Sequence, residues 1–364
     1  MKNVLVVDDE EAIRFSLSKG IAFLGYQCTL AATGREAWLF AQRQRFDLIL
    51  LDVKMPDMGG LEALKKIRQE DGLNQGTPVI MVTAYSQFEV VEESIKLGAN
   101  DFLVKPFQLM TILERVSHWV NTGVQDSWTA LKPEQENLLR MTVRTMDSMF
   151  RAVREGNELP FEQVKGAATQ LIKVMDNGNI AGVLDAVREH DDYTFTHSLR
   201  VGIYMTLFAQ SLASFSTEDL LIITSGGVAH DVGKAKIPLT ILNKPSALDP
   251  DEMKLMMQHV DHSAEILART PGIPHPVIDI SLMHHERMDG SGYPLGLKGD
   301  EIDIFGRMAA IVDVYVALTD TRVYKPSIEP EASFKMMENE PGGLDKSLLA
   351  DFKEAIFSYN YNVR

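Results

Sequence analysis

The stretch LLIITSGGVAHDVGK, residues 220–234, is an almost wholly apolar run that ends on two ionisable side chains, His230 and Asp231. Such a run is built for burial, and a neighbouring imidazole and carboxylate are costly there unless they are paired or bind a cation. The same conjunction recurs along the chain. His197 opens an apolar helix carrying Val201, Tyr204, Met205 and Phe208, and His259 lies on the helical stretch around Met253–Leu267. His284-His285 ends the stretch around Val277–Met283, and Asp313 sits within Met308–Leu318. Five of the nine histidines thus fall, with Asp313, in one ordered series on five helices that are otherwise suited to burial. Mixed imidazole and carboxylate donors suit Fe, Mn, Ni or Zn. Their number calls for two ions, with Asp231 placed to bridge them, and hence for hydrolysis by an activated water. His118, His190, His262 and His275 read as ordinary surface or satisfied residues, although His262 partly shares the face of His259.

At 364 residues the chain exceeds the comfortable size of one core, so two domains and a connector are expected. Hydrophobic residues at 45% and charged ones at 24% describe a globular rather than a disordered protein. A formal charge of −15 argues against non-specific binding to DNA or to anionic membrane. An anionic substrate would need local Lys and Arg. Cys28 is the single cysteine, which excludes an internal disulfide and a thiolate metal cage. The first apolar run is too short for a signal peptide and no run reaches membrane-spanning length, so a cytoplasmic location without membrane insertion is expected.

Residues 3–120 alternate short apolar runs with helical periodicity. Val4–Val7, Cys28–Ala31, Leu48–Leu51, Val79–Val82 and Phe102–Val104 read as buried strands, with helices near 10–24, 34–44, 59–69, 86–97 and 108–120. Continuous apolar strands between helices imply an α/β doubly wound five-stranded parallel sheet. Asp8 and Asp9 follow the first strand and Asp52 the third, at the sheet edge where such folds bind ligands. Three converging carboxylates repel unless a cation neutralises them, and oxygen-only ligands favour Mg²⁺. Thr83 and Lys105 end the fourth and fifth strands and bring a hydroxyl and an ammonium to the same place. Lys105-Pro106 is the place to look for a cis peptide.

From 123 onward the pattern changes. Pro133 starts a long amphipathic helix marked by Leu139, Val143, Met146, Phe150 and Val153 and ended by Gly156-Asn157; a second covers about 161–176. These connecting helices either pair between subunits of a homodimer or form a hairpin within one chain. Beyond 195 nearly everything reads as helix, giving an all-α bundle. The expected domains are 1–122, a helical linker over 123–189, and 190–364.

Residues 1–122 resemble the flavodoxin-like receiver domain of response regulators, on the set Asp8-Asp9, Asp52 in Asp-Val-Lys-Met-Pro, Thr83-Ala84 and Lys105-Pro106. The resemblance implies that Asp52 is the phosphorylation site, with a sensor histidine kinase as phosphodonor. Asp8, Asp9 and Asp52 would hold Mg²⁺, Thr83 and Lys105 would contact the phosphoryl oxygens, and Phe102 would be the aromatic switch.

Residues 190–364 are similar to the HD-GYP subgroup of HD-domain phosphohydrolases. The matching stretches are His197-Ser198-Leu199-Arg200-Val201, His230-Asp231-Val232-Gly233-Lys234, Ile237-Pro238, Lys244-Pro245, His284-His285-Glu286, Gly290–Pro294 and Asp313–Lys325. The family hydrolyses cyclic di-GMP to pGpG and in some members onward to GMP. By that match His197, His230, Asp231, His259, His284, His285 and Asp313 are metal ligands. Lys234, Arg322 and Lys325 bind substrate phosphate, and Asp231 and Lys234 carry the catalytic roles. Three positions depart from the pattern. Tyr193 stands where some members place a glutamate for a third metal, so two metals are expected. Val316 replaces an acidic residue three after the last ligand, which removes an outer partner of the metal site and weakens the case for full activity. Ser263 replaces a glycine and would crowd the pocket.

The leading reading is a two-component response regulator whose output domain is a metal-dependent cyclic-dinucleotide phosphodiesterase. A catalytically weak cyclic di-GMP sensor or interaction module is the runner-up, on the strength of Val316. A di-iron oxygenase on the same scaffold is the third, disfavoured by the phosphate-binding trio.

Overall fold

In the computed structural model the chain divides into two compact units, Met1–Asp126 and Ser127–Arg364. The structure describes all residues except 1, 70–71, 84–87, 108, 189–192, 213, 243, 245–246, 321–327, 341 and 363–364.

The first unit runs β1 (Asn3–Val7), α1 (Glu11–Phe23), β2 (Gln27–Ala31), α2 (Gly34–Arg43), β3 (Leu48–Asp52), α3 (Gly60–Gln69), β4 (Val79–Thr83), α4 (Phe88–Lys96), β5 (Asp101–Val104) and α5 (Leu109–Ser127). All strand pairs are parallel, in the order β2-β1-β3-β4-β5. Continuous apolar strands are required here because successive side chains enter opposite cores. Val4, Val6, Leu48, Leu50, Ile80 and Val82 pack on Leu17 and Ile21 of α1 and Ile112, Leu113 and Val116 of α5. Leu5, Val7, Ile49, Leu51, Val79 and Met81 pack on Ala37 and Ala41 of α2 and Ala63, Leu64 and Ile67 of α3. The strand order reverses between β1 and β3, and Asp8 and Asp52 lie at the carboxyl ends of those two strands.

The second unit is helical: α6 (Pro133–Glu155), α7 (Phe161–Asp176), α8 (Ile180–Arg188), α9 (Tyr193–Leu212), α10 (Thr217–Ala229), α11 (Leu239–Leu242), α12 (Pro250–Arg269), α13 (His275–Met283), α14 (Ile304–Thr319), α15 (Pro330–Glu338) and α16 (Lys346–Asn362). Short 3-10 turns cover Trp128–Ala130, Val232–Lys236 and Gly299–Glu301. Met205 and Phe208 of α9, Ile311, Val312 and Tyr315 of α14, Phe334 of α15 and Phe352 of α16 form its main apolar core. Gly156 stops α6 in the left-handed conformation, φ 73°, as its position after the last periodic residue predicts. α6 and α7 pack on each other, α7 also on α10, and α6 on the turn Val232–Lys236.

Two features differ from the sequence expectation. α5 continues to Ser127 rather than stopping near 120. α8 was not anticipated, because nine residues with a glycine in the first turn give a weak periodic signal. Gly182 is there for space: a Cβ would lie 2.9 Å from Gln135 Nε2, and that amide donates to Asn179 O, fixing α8 on α6.

The pair Gly226-Gly227 in the opening stretch also answers to packing. A Cβ on Gly227 would lie 3.0 Å from Gly202 Cα, and one on Gly226 would lie 2.4 Å from Ile280 Cδ1. α10 is thereby pressed between α9 and α13, which delivers His230 to their meeting point. Gly227→Ala should cost about 1–3 kcal/mol by forcing α9 and α10 apart, measured as an earlier unfolding transition of the full chain by calorimetry.

Candidate metal centre and phosphoacceptor pocket

Three imidazoles of the second unit are oriented by the helices that carry them. His230 Nδ1 lies 2.8 Å from Gly227 O, His259 Nδ1 2.6 Å from Met256 O, and His284 Nδ1 2.7 Å from Ser281 O. A carbonyl only accepts, so each Nδ1 holds the ring proton and each Nε2 keeps a bare lone pair. For His230 and His284, which cap α10 and α13, the bond also satisfies a last-turn carbonyl. Ser281 Oγ donates to His230 O at 2.6 Å and ties the two helix ends together.

The Nε2 atoms converge on Asp231. Its Oδ2 lies 3.2 Å from His230 Nε2 and 3.5 Å from His197 Nε2, and its Oδ1 lies 3.2 Å from His259 Nε2 and 3.9 Å from His284 Nε2. Asp313 spans the cluster in the same way, with Oδ1 3.0 Å from His197 Nε2 and Oδ2 3.9 Å from His285 Nδ1. All seven side chains named from the sequence therefore meet in one place. Donor atoms of His197, His230 and Asp231 lie within 4.8 Å of one another, as do those of His259, His284 and His285.

This donor set fits cations. His259 Nε2 and His284 Nε2 are 3.4 Å apart with both lone pairs facing each other, and among the described residues His230 Nε2 and Asp231 Oδ1 are buried without a hydrogen bond. Protons do not fill the gap. Burial and the neighbouring His285 and His230 hold His284 well below the usual imidazole range, and burial pushes His285 down to about 3. Burial opposes charge on Asp231, yet Lys234 and His230 hold its carboxyl well below the usual range; for Asp313 burial again raises, and the neighbouring His197, His285 and His284 together lower its carboxyl well below that range. Neutral imidazoles and ionised carboxylates are the ligand forms of a divalent metal site.

Around the cluster, Lys234 Nζ lies 2.5 Å from Asp231 Oδ2. Ser263 is fully buried, and its Oγ accepts from Gly233 N at 2.7 Å, where a Cβ on Gly233 would lie 2.1 Å from His259 O. The serine thus secures the turn bearing Lys234 against α12. Glu286 was quoted from the sequence without a role. Its buried carboxylate accepts from Leu295 N, Gly296 N and Leu297 N at 2.7, 3.1 and 3.0 Å, fastening the Gly290–Pro294 loop, and Tyr293 stacks on His285 with ring centroids 4.7 Å apart. Val316 is buried in the apolar core. His118 and His275 are exposed and His262 half-buried, none of them in the cluster. Arg322, Lys325, Pro245, His190 and the side chain of Tyr193 fall outside the described residues. Arg200 and Asp320, both buried, form an ion pair beside His197 that the sequence reading missed.

In the first unit Asp8, Asp9 and Asp52 form the third group of convergent donors. Lys105 Nζ lies 2.7 Å from Asp8 Oδ2 and 2.9 Å from Asp52 Oδ2. Burial opposes the charge of Lys105, but its bonds to Asp8 and Asp52 raise its pKa above the ordinary value. Burial raises that of Asp52, against the pull of Lys105. Thr83 is buried at the end of β4, Phe102 is exposed on β5, and Lys105-Pro106 is cis. Three carboxylates with oxygen donors only suit a hard cation such as Mg²⁺.

The chain thus joins a parallel sheet with an acidic, lysine-bridged pocket to a helical unit with a histidine–aspartate cluster. Residues 4–117 match the response regulator receiver domain and residues 189–348 the HD domain. A cyclic di-GMP phosphodiesterase of Thermotoga maritima is 30% identical over 94% of this chain and 86% of its own length. The cyclic di-GMP phosphodiesterase response regulator RpfG of Xanthomonas campestris is 29% identical over 94% of this chain and 84% of its own. A 3′3′-cGAMP-specific phosphodiesterase 2 of Vibrio cholerae is 39% identical over 40% of this chain and 28% of its own. The chain belongs to the response regulators that join a receiver to an HD domain, the family of the cyclic di-GMP phosphodiesterases. Among the described residues no helix is long and apolar enough to cross a membrane.

Because the raised Asp52 pKa means that its charge costs folding energy, Asp52→Asn should raise the thermal midpoint of the first unit at pH 7 in the absence of divalent cations. The cost is complete above the raised folded pKa and disappears below the unfolded value. The gain should therefore shrink as pH falls through that interval, which calorimetry across a pH series would follow.

Proposed function

We propose that the second unit hydrolyses cyclic di-GMP to pGpG at a two-cation site, and that phosphorylation of Asp52 by a sensor histidine kinase regulates it. The observation that carries this reading is the convergence of bare Nε2 lone pairs on the buried Asp231, whose two oxygens face opposite halves of the cluster. His197, His230, Asp231 and Asp313 would hold one divalent transition ion, and His259, His284 and His285 with the other oxygen of Asp231 the second. Bound cations supply Lewis acidity at phosphate oxygens and an activated water as nucleophile.

This chain's own residues then do three things. The helix-fixed imidazoles and the two carboxylates hold the site rigid, so little reorganisation accompanies reaction. Lys234, beside Asp231 and partly open to the cavity, neutralises the oxygen that leaves when the P–O3′ bond breaks, and its Nζ donates the proton that oxygen takes up. Tyr293 and the loop fastened by Glu286 shape the mouth of the site. Arg322 and Lys325 are assigned to substrate phosphate on sequence grounds. In the first unit Asp8 and Asp9 would hold Mg²⁺ beside Asp52, and Lys105 and Thr83 would receive the phosphoryl oxygens. The new charge would then draw Lys105 away from Asp8, with Thr83 and Phe102 as the switch.

Full-length protein purified anaerobically and supplied with Mn²⁺ or Fe²⁺ should convert cyclic di-GMP to pGpG, followed by chromatography. Chelation should abolish turnover, and Asp231→Asn should lower it by more than about 100-fold, since a bridging ligand matters more than an outer partner. Binding without consumption would replace the hydrolase by a sensor, and turnover of 3′3′-cGAMP alone would reassign the substrate. Separately, a small-molecule phosphodonor with Mg²⁺ should add one phosphoryl group to the wild type and none to Asp52→Asn, measured by intact mass.

A further inference from the structure

His285 is held differently from its neighbours. His230, His259 and His284 each donate from Nδ1 to a carbonyl three residues earlier in the chain. His285 stands one residue past the cap of α13, and among the described residues no hydrogen bond fixes its ring. Asp313 Oδ2, at 3.9 Å from its Nδ1, is beyond hydrogen-bond distance. What touches the ring is other rings. The centroid of His284 lies 4.1 Å away, that of His259 lies 5.2 Å away and edge-on, and Tyr293 is stacked at 4.7 Å with 25° between the planes. Stacking is a preferred geometry for aromatic pairs, so the tyrosine restrains the tilt of the imidazole.

Tyr293 belongs to a loop with little freedom of its own. Its backbone N donates to His285 O at 3.2 Å. Gly292 lets the loop lie directly on the chain that carries Glu286, where a Cβ would come within 2.5 Å of Glu286 Cα and of Arg287 N. Glu286 is 1% exposed; its Oε1 accepts from Leu295 N and Gly296 N and its Oε2 from Leu297 N. Only a carboxylate accepts at both oxygens. A carboxamide in its place would turn an N–H group toward an N–H.

We propose that Glu286 is a positioning residue for the second cation: through the loop it fastens, it seats the Tyr293 ring on His285 and so holds that imidazole in the His259–His284 half of the cluster. The inference deepens the two-cation reading of the site and rests on it. The half that contains His197, His230 and Asp313 is carried by α9, α10 and α14 and does not depend on the loop.

Zinc binding by the full chain, measured by chelator competition and elemental analysis, tests this, with ¹⁵N-histidine NMR to show which imidazoles are bound. The wild type should take up two zinc ions. In Tyr293→Ala and in Glu286→Gln one of the two affinities should fall about 10–100-fold. The His285 resonances should move toward those of a free imidazole, while those of His197 and His230 stay in place. Tyr293→Phe keeps the ring and should bind as the wild type does. Because Glu286 acts through the tyrosine, Glu286→Gln should add nothing in the Tyr293→Ala background. Equal losses at both cations, or no loss in Tyr293→Ala, overturn the proposal. An additive double variant also overturns it, since Glu286 would then reach the site by another route. Tyr293 is only partly buried, so its variants decide the matter alone should Glu286→Gln fail to fold. A wild type that takes up fewer than two zinc ions overturns the two-cation reading itself, and this inference with it.

Discussion

The second unit is organised around one buried carboxylate. Asp231 faces four imidazoles and the ammonium of Lys234, and without that company an ionised aspartate at such depth would not persist. The surrounding helices are placed to serve it. α9, α10, α12 and α13 each bring a histidine, α14 brings Asp313, and the glycines of α10 allow the close approach that makes this meeting possible. Hydrophobic burial of Phe208, Tyr315, Phe334 and Phe352 supplies the driving force, but it sets no ring orientation. Orientation comes from bonds between ring nitrogens and helix carbonyls.

The first unit solves the same problem with oxygen donors alone. Lys105 lies between Asp8 and Asp52 and neutralises part of their charge. In both sites a lysine pairs with buried carboxylates, and in both the surplus negative charge suits a metal ion.

Much of this was legible in the sequence, for identifiable reasons. Strands buried on both faces read as uninterrupted apolar runs, so the five-stranded sheet emerged with strand ends within about a residue. The histidine series stood out because each member interrupts a stretch otherwise fit for a core. The contributions of Asp320, Ser263 and Glu286 did not emerge, since each acts through a partner distant in sequence. Asp320 pairs with Arg200, Ser263 with Gly233, and Glu286 with three backbone amides nine to eleven residues later. Ser263, expected to crowd the cavity, secures a backbone turn instead. Val316 packs in the apolar core.

The ends of α10 and α13 have one more consequence. Both helices present their carboxyl termini to the cluster, through His230 and His284, and a helix carboxyl terminus carries partial negative charge. With Asp231 and Asp313 added, two helix ends and two carboxylates concentrate negative potential where the Nε2 atoms meet, so the polypeptide itself makes that spot attractive to cations.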